Sequence, residues 1–256
     1  MKNCHGAGCE ATRLIKAHII PRAFGRMLKD GSKRHNLELS LWRVTPTQLG
    51  IFDKNILCDR CDGLLGRLDD YLYDVIRQFD LSKCPRIEDI FVEQTVDCEQ
   101  FCKGVLAILW RASISNRYPY SKVSLGRYEL IVRDILFGFL PLITFTELEI
   151  LIQYYRSRHI GEKVRFFDTL PQHNKFGELD GYSFGLNGFR ISIKIDERNF
   201  GADFAPFILN RQKVFRGLVV ELEETPEFRR MADIVVADLI RRSARPQTRR
   251  RRKRLR

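Results

Sequence analysis

The chain has 256 residues and 44 Lys and Arg against 32 Asp and Glu, but ten of the basic groups fall in Arg241 to Arg256, leaving a near-neutral body and a cationic tail. Its 44% hydrophobic content excludes wholesale disorder, and without a signal-peptide stretch or a roughly 20-residue apolar run a cytoplasmic protein with no membrane contact is expected. Seven Cys in such a chain point to metal ligands and buried thiols before disulfides.

The pattern predicts an α+β fold in four stretches. Residues 1–80 read as a small zinc-binding head and 81–140 as a helical region. Residues 141–244 read as an antiparallel β-rich region with a terminal helix, and 245–256 as a disordered polybasic tail. In the head, two close cysteine pairs are separated by a long connection, roughly Asp30 to Asp53, and Lys16 to Ile20 fits a short strand ended by Pro21. From Leu64 the apolar residues Leu65, Leu68, Leu72, Val75 and Ile76 recur at helical spacing. A second helix is predicted from about Asp97 to Ser113, with Phe101, Val105, Ile108 and Leu109 as its stripe, and a third from about Gly126 to Phe137. Asn187 to Glu197 alternates strictly, placing Phe189, Ile191, Ile193 and Ile195 on one face of a strand. Val164 to Phe167, Gly181 to Leu186 and Val214 to Leu222 are shorter strand candidates. Thr225-Pro226-Glu227 has the N-cap, first-position proline and early acid of a last helix, with Phe228, Met231, Val235 and Leu239 as its apolar stripe.

Cys4 and Cys9 form a C-x4-C pair, and Cys58 and Cys61 a C-x2-C pair. Four thiolates from two such pairs can surround one structural Zn²⁺ tetrahedrally, and metal binding offsets the small added entropy of closing a long loop. His5 is a possible substitute ligand. Cys98 and Cys102, one helical turn apart, read as small core residues, and Trp110-Arg111 as a core anchor followed by a surface cation.

Between the cysteine pairs lies Lys16-Ala17-His18-Ile19-Ile20-Pro21-Arg22, and Asn55-Ile56-Leu57-Cys58-Asp59-Arg60-Cys61-Asp62-Gly63 leads into the Leu64 helix. Over residues 4 to 72 this order resembles the HNH (His-Me finger) endonuclease family, whose common form is C-x2–4-C, D-H-I-x-P, N-L, then L-C-x-x-C followed by His or Asn. The resemblance implies a treble-clef, ββα zinc-knuckle head with Cys4, Cys9, Cys58 and Cys61 around structural zinc. It implies phosphodiester hydrolysis with His18 as general base, Asn55 at the family's middle asparagine, and a second, catalytic Mg²⁺ or Mn²⁺. Two positions depart from the family. Ala17 stands where it usually carries a metal ligand, and Asp62-Gly63 where it carries His or Asn. Asp62, Asp69 and Asp70 are the carboxylates available to a hard cation, with exposed helix surface as the plain alternative for the last two. Phe101 to Arg111, Ser113 to Asn116 and Leu125-Gly126-Arg127 are similar to a group of bacterial proteins without an assigned chemistry, which implies a shared architecture only.

Within residues 1–43 there are nine Lys or Arg and three acids, and Arg22, Arg26, Lys29, Lys33 and Arg34 follow His18 closely, as a phosphate-facing surface would require. The tail, with Arg249, Arg250, Arg251 and Arg252 in one run, should bind polyanions nonspecifically and with strong salt dependence. The expected partner is therefore nucleic acid, DNA in the first place. The competing expectation is a noncatalytic zinc module that binds nucleic acid or a protein.

Overall fold

Cys58, extended at φ −85° and ψ 167°, ends one strand-like segment and starts a helix; Asp59 and Asp62 in the first turn suit its positive end. The computed structural model describes residues 3–27, 36–40, 43–47, 52–80, 86–117, 122–159 and 169–243. In chain order it contains β1 (Ala17–His18), α1 (Arg22–Met27), β2 (Asn36–Ser40), β3 (Arg43–Thr47), β4 (Phe52–Asp53) and the helix begun at Cys58, α2 (Asp59–Gln78). β5 (Ile90–Glu93), α3 (Cys98–Ile114) and α4 (Tyr128–Leu136) follow, then β6 (Leu148–Arg156), β7 (Gln172–Phe176), β8 (Leu179–Leu186), β9 (Phe189–Ile195), β10 (Phe215–Glu221) and α5 (Pro226–Ser243). The fold is mixed α+β, with a helical middle, one large sheet and a cysteine cluster near the N-terminus.

In the head, β1 and β4 pair antiparallel, Ala17 opposite Asp53 and His18 opposite Phe52. The long connection between them contains the hairpin β2–β3 (Asn36 opposite Thr47), where the sequence suggested only a loop. α2 starts five residues before Leu64 and buries Cys61, Leu65, Leu72 and Ile76 on one face, so the second cysteine pair belongs to the helix and its cap.

α3 departs most from its predicted pattern. In place of a stripe, Phe101, Cys102, Val105, Leu106, Ala107, Ile108, Leu109, Trp110, Arg111 and Ala112 are all buried, because the helix is surrounded. Its start is capped by Asp97, whose Oδ1 accepts the Gln100 N–H at 3.0 Å, while the Asp97 N–H donates to the Tyr71 hydroxyl of α2 at 2.6 Å. Gly104 allows the close α2–α3 approach, since a Cβ there would lie 2.9 Å from the Leu68 carbonyl oxygen.

The six-stranded sheet has the order β5-β10-β6-β9-β8-β7. It is antiparallel except for β10 beside β6, which is parallel with Leu218 opposite Gln153, and its edge strand β5 comes from the region expected to be helical. The strongest predicted strand begins at Phe189 rather than Asn187. Asn187 (φ 46°) and Gly188 (φ 93°) form the two-residue turn of the β8–β9 hairpin, which needs positive φ at both positions. The face opposite Ile191 and Ile193 is also covered, because Ser192 and Lys194 are buried. Lys194 lies directly across from Glu149 at 3.3 Å, and its ammonium donates to the Thr146, Asp196 and Arg198 carbonyls at 3.3, 2.9 and 2.5 Å. Burial lowers its pKa, and the Glu149 carboxylate opposes that shift. Thr225 caps α5 as expected, accepting the Phe228 N–H at 3.4 Å. Val164 to Phe167 lie outside the described residues. One buried cluster extends from Cys4 through α2 and α3 to Val219, so the head packs on the same core as the sheet.

Candidate metal centre and the histidine beside it

The segment carrying the first cysteine pair runs along the strand-like segment before α2. The His5 N–H donates to the Ile56 carbonyl at 3.0 Å, the Ile15 N–H to the Leu57 carbonyl at 2.9 Å, and the Cys4 N–H to the Ala11 carbonyl at 2.8 Å. These contacts hold Cys4 and Cys9 against Cys58 and Cys61. The four sulfurs lie within 4.8 Å of one another, with Cys9 and Cys58 3.6 Å apart. Tetrahedral zinc with Zn–S bonds of about 2.3 Å requires sulfurs roughly 3.8 Å apart, so the cluster matches a four-thiolate site to within small adjustments. The Gly6 and Cys58 N–H groups donate to the Cys4 sulfur at 3.4 and 3.3 Å, the pattern expected around a thiolate. Gly6 is also sterically required, since a Cβ there would lie 2.4 Å from the Cys61 sulfur.

Burial raises the Cys4 thiol despite hydrogen bonds from Cys58 and Gly6. It raises Cys61 further, with Cys9, Cys4 and Cys58 crowding that group. At Cys58 burial is outweighed by hydrogen bonds with the Cys61 backbone and the neighbouring sulfurs, which bring the thiol down to about 7. The donor set and its burial fit a structural Zn²⁺. His5 is exposed and outside the cluster. Cys98 and Cys102 are buried core residues as expected, and burial pushes the Cys98 thiol up to about 11.

His18 is half-buried, opposite Phe52 in the β1–β4 pair, with the two rings edge-on at 6.0 Å. Asp62 and Asp69, seven positions apart on α2, share a helix face, and both carboxyls feel the charge of His18. The Asp62 carboxyl is raised by burial, with Arg111 lowering it and Asp69 raising it. Asp69 is bound on both oxygens by Arg111, at 2.7 Å to Nη1 and 2.6 Å to Nη2. Burial raises the Asp69 carboxyl, and the Arg111 guanidinium opposes that shift.

Arg111 corrects the expectation of a surface cation. Its side chain is 1% exposed, and the sequence could not reveal a partner 42 positions away. Asp70 is exposed, and so is Asn55, whose N–H donates to Asp53 Oδ1 at 2.9 Å in the turn before α2. Among the described residues the four cysteines are the only converging set of three or more metal-ligating side chains. His18, Asp62 and Asp69 therefore do not form a ready-made second cation site, because Asp69 is already engaged.

Of the predicted basic surface, Arg22 is exposed on α1 and Arg26 follows one turn later. Lys29, Lys33, Arg34 and Arg249 to Arg252 lie outside the described residues. Among the described residues no helix is long and apolar enough to cross a membrane. Three residues that carry no signal in the linear pattern approach the β1–β4 pair in the fold. These are Asp53, which is buried, Ser115 just after α3, and Arg117. Comparison of the chain with protein-family models, curated proteins and solved structures gave no match.

Proposed function

We propose that this chain is an HNH-like, zinc-stabilised nucleic-acid-binding protein that acts on DNA, with His18 as the general base of phosphodiester hydrolysis. The observation that carries the reading is His18 on β1, paired with β4 and within electrostatic reach of the Asp62 and Asp69 carboxyls of α2, the helix that also carries Cys61 of the four-cysteine cluster. The order β1, β4, α2 supports a ββα, treble-clef-like head. Cys4, Cys9, Cys58 and Cys61 would hold Zn²⁺, which ties the N-terminal segment to the start of α2 and takes no part in the chemistry. The His18 imidazole can take a proton from a water attacking phosphorus and release it to solvent. Asp62 is the carboxylate on this face that Arg111 does not bridge. Mg²⁺ and Mn²⁺ typically take one or two carboxylates and complete their shell with water and phosphate oxygens. Among the described residues no second set of protein ligands converges here.

A noncatalytic nucleic-acid-binding module is the second reading. It is favoured by Ala17 at the position before the histidine and by Arg111 occupying Asp69. Plasmid nicking with Mg²⁺ or Mn²⁺, comparing the wild type with His18→Ala, decides between them. Loss of nicking in the variant supports hydrolysis. Equal activity in both proteins, or none with either metal while DNA is still bound, leaves the binding module.

A further inference from the structure

Ser115, Asn116 and Arg117 follow the end of α3, far outside the segment that resembles HNH nucleases. They nevertheless close over the β1–β4 pair. The buried Asp53 is the anchor: its Oδ2 accepts the Ser115 hydroxyl at 2.7 Å and its Oδ1 the Asn55 N–H at 2.9 Å. The Ser115 oxygen in turn accepts the Arg117 N–H at 3.2 Å, which fixes where the arginine leaves the chain. The Arg117 guanidinium then donates from Nη1 to the Phe52 carbonyl at 2.8 Å, at the residue directly opposite His18.

Three nitrogen-bearing side chains meet around the Phe52 ring. The Arg117 guanidinium carbon is 5.5 Å from its centroid, the Lys16 ammonium is 5.5 Å away, and the His18 ring is 6.0 Å away. Alternation along the strand puts Lys16 and His18 on the same side, with Ala17 buried on the other. Among the described residues neither Lys16 nor Arg117 has an ion-pair partner. Phe52 uses one of the five N–H donors of Arg117. Two cations next to a histidine, one a guanidinium whose orientation is fixed by a backbone carbonyl, suit an oxyanion with several acceptor oxygens.

We propose that Arg117 and Lys16 form a phosphate-binding pair that holds a phosphate group against His18, with Ser115 and Asp53 as positioning residues for Arg117. The inference rests on reading His18 as the functional site and deepens it by naming the groups that receive the phosphate. A nucleic-acid backbone and a small phosphorylated molecule share this chemistry, and the two arms of the test separate them.

In the first arm the full chain, loaded with zinc, is titrated with inorganic phosphate at constant ionic strength while the His18 ring proton resonance is followed. That resonance is assigned with His18→Gln. Phosphate should shift it saturably in the wild type, about tenfold more weakly in Arg117→Gln, and to an intermediate degree in Arg117→Lys, which keeps the charge but loses the fork. In the second arm a labelled DNA duplex is titrated across a salt series. Arg117→Gln should weaken binding uniformly across sequences and reduce the salt slope by about 1.

A phosphate response identical in Arg117→Gln and the wild type, or absent from the wild type, overturns the pair. Duplex binding with an unchanged slope in Arg117→Gln overturns it while leaving the nucleic-acid reading intact. A phosphate response that needs Arg117, in a protein that does not bind DNA, supports the pair, assigns it to small phosphorylated ligands, and removes the nucleic-acid reading.

Discussion

Replacing Arg111 with Met removes a side chain that is 1% exposed and leaves Asp69, 13% exposed, with no counter-charge on either oxygen. Breaking a buried ion pair from one side costs about 3–5 kcal/mol, because the remaining charge is stranded in a medium that solvates it poorly. That is a large share of a typical domain stability of about 5–15 kcal/mol. Replacing both partners, as Asp69→Leu with Arg111→Met, removes the stranded charge and should return the protein to within about 1–2 kcal/mol of the wild type. Urea denaturation of the four proteins at pH 7 with zinc bound, followed by far-UV circular dichroism, gives the coupling energy of the pair.

The same variant has a functional consequence. In Arg111→Met, Asp69 is released on the face it shares with Asp62 and beside His18, so calorimetry should show a gain in Mn²⁺ affinity. A cost below about 1 kcal/mol for Arg111→Met, or a double variant no more stable than the single one, would refute the placement of this pair in the core.

Four further outcomes concern the head and the tail. Metal analysis should find one zinc per chain, lost in Cys58→Ala with Cys61→Ala. Because burial keeps protons on Cys4 and Cys61 in the metal-free head, zinc loading should release protons to a weak buffer and zinc affinity should fall as pH is lowered; pH-independent loading contradicts the four-thiolate site. Gly6→Ala drives a Cβ against the Cys61 sulfur and should weaken zinc binding about tenfold or more, whereas Gly63→Ala, with open space around it on α2, should leave zinc affinity unchanged. If the proposed function holds, removing Arg245 to Arg256 takes away eight basic residues and should lower DNA affinity and its salt slope while leaving any cleavage at saturating DNA intact; loss of cleavage at saturation would show that the tail takes part in the chemistry.

Much of this molecule was legible in local sequence spacing. The two cysteine pairs converge as their spacing suggested, because a C-x2-C at a helix start and a C-x4-C loop each preset half of a tetrahedron. The alternation through Phe189, Ile191 and Ile193 is a strand, since a period-two sequence pattern needs no knowledge of the partner strand. Thr225-Pro226 caps the last helix by purely local hydrogen bonding. The sequence was misleading where burial comes from neighbours distant in the chain. α3 is buried all round only because α2, α4 and the sheet enclose it, and β5 joins a sheet formed mostly by residues more than fifty positions later.

The histidine site divides in the same way. His18 and its position between the cysteine pairs could be read from the sequence alone, as could the carboxylates of α2. Which of those carboxylates is occupied was decided by Arg111, from a helix 42 residues further on. The anchoring of Arg117 beside His18 likewise depends on Asp53 meeting Ser115 across 62 residues. Charge pairing and desolvation act through space, so a linear pattern can nominate the groups in a site, and only the packed chain determines which of them remain available to a ligand.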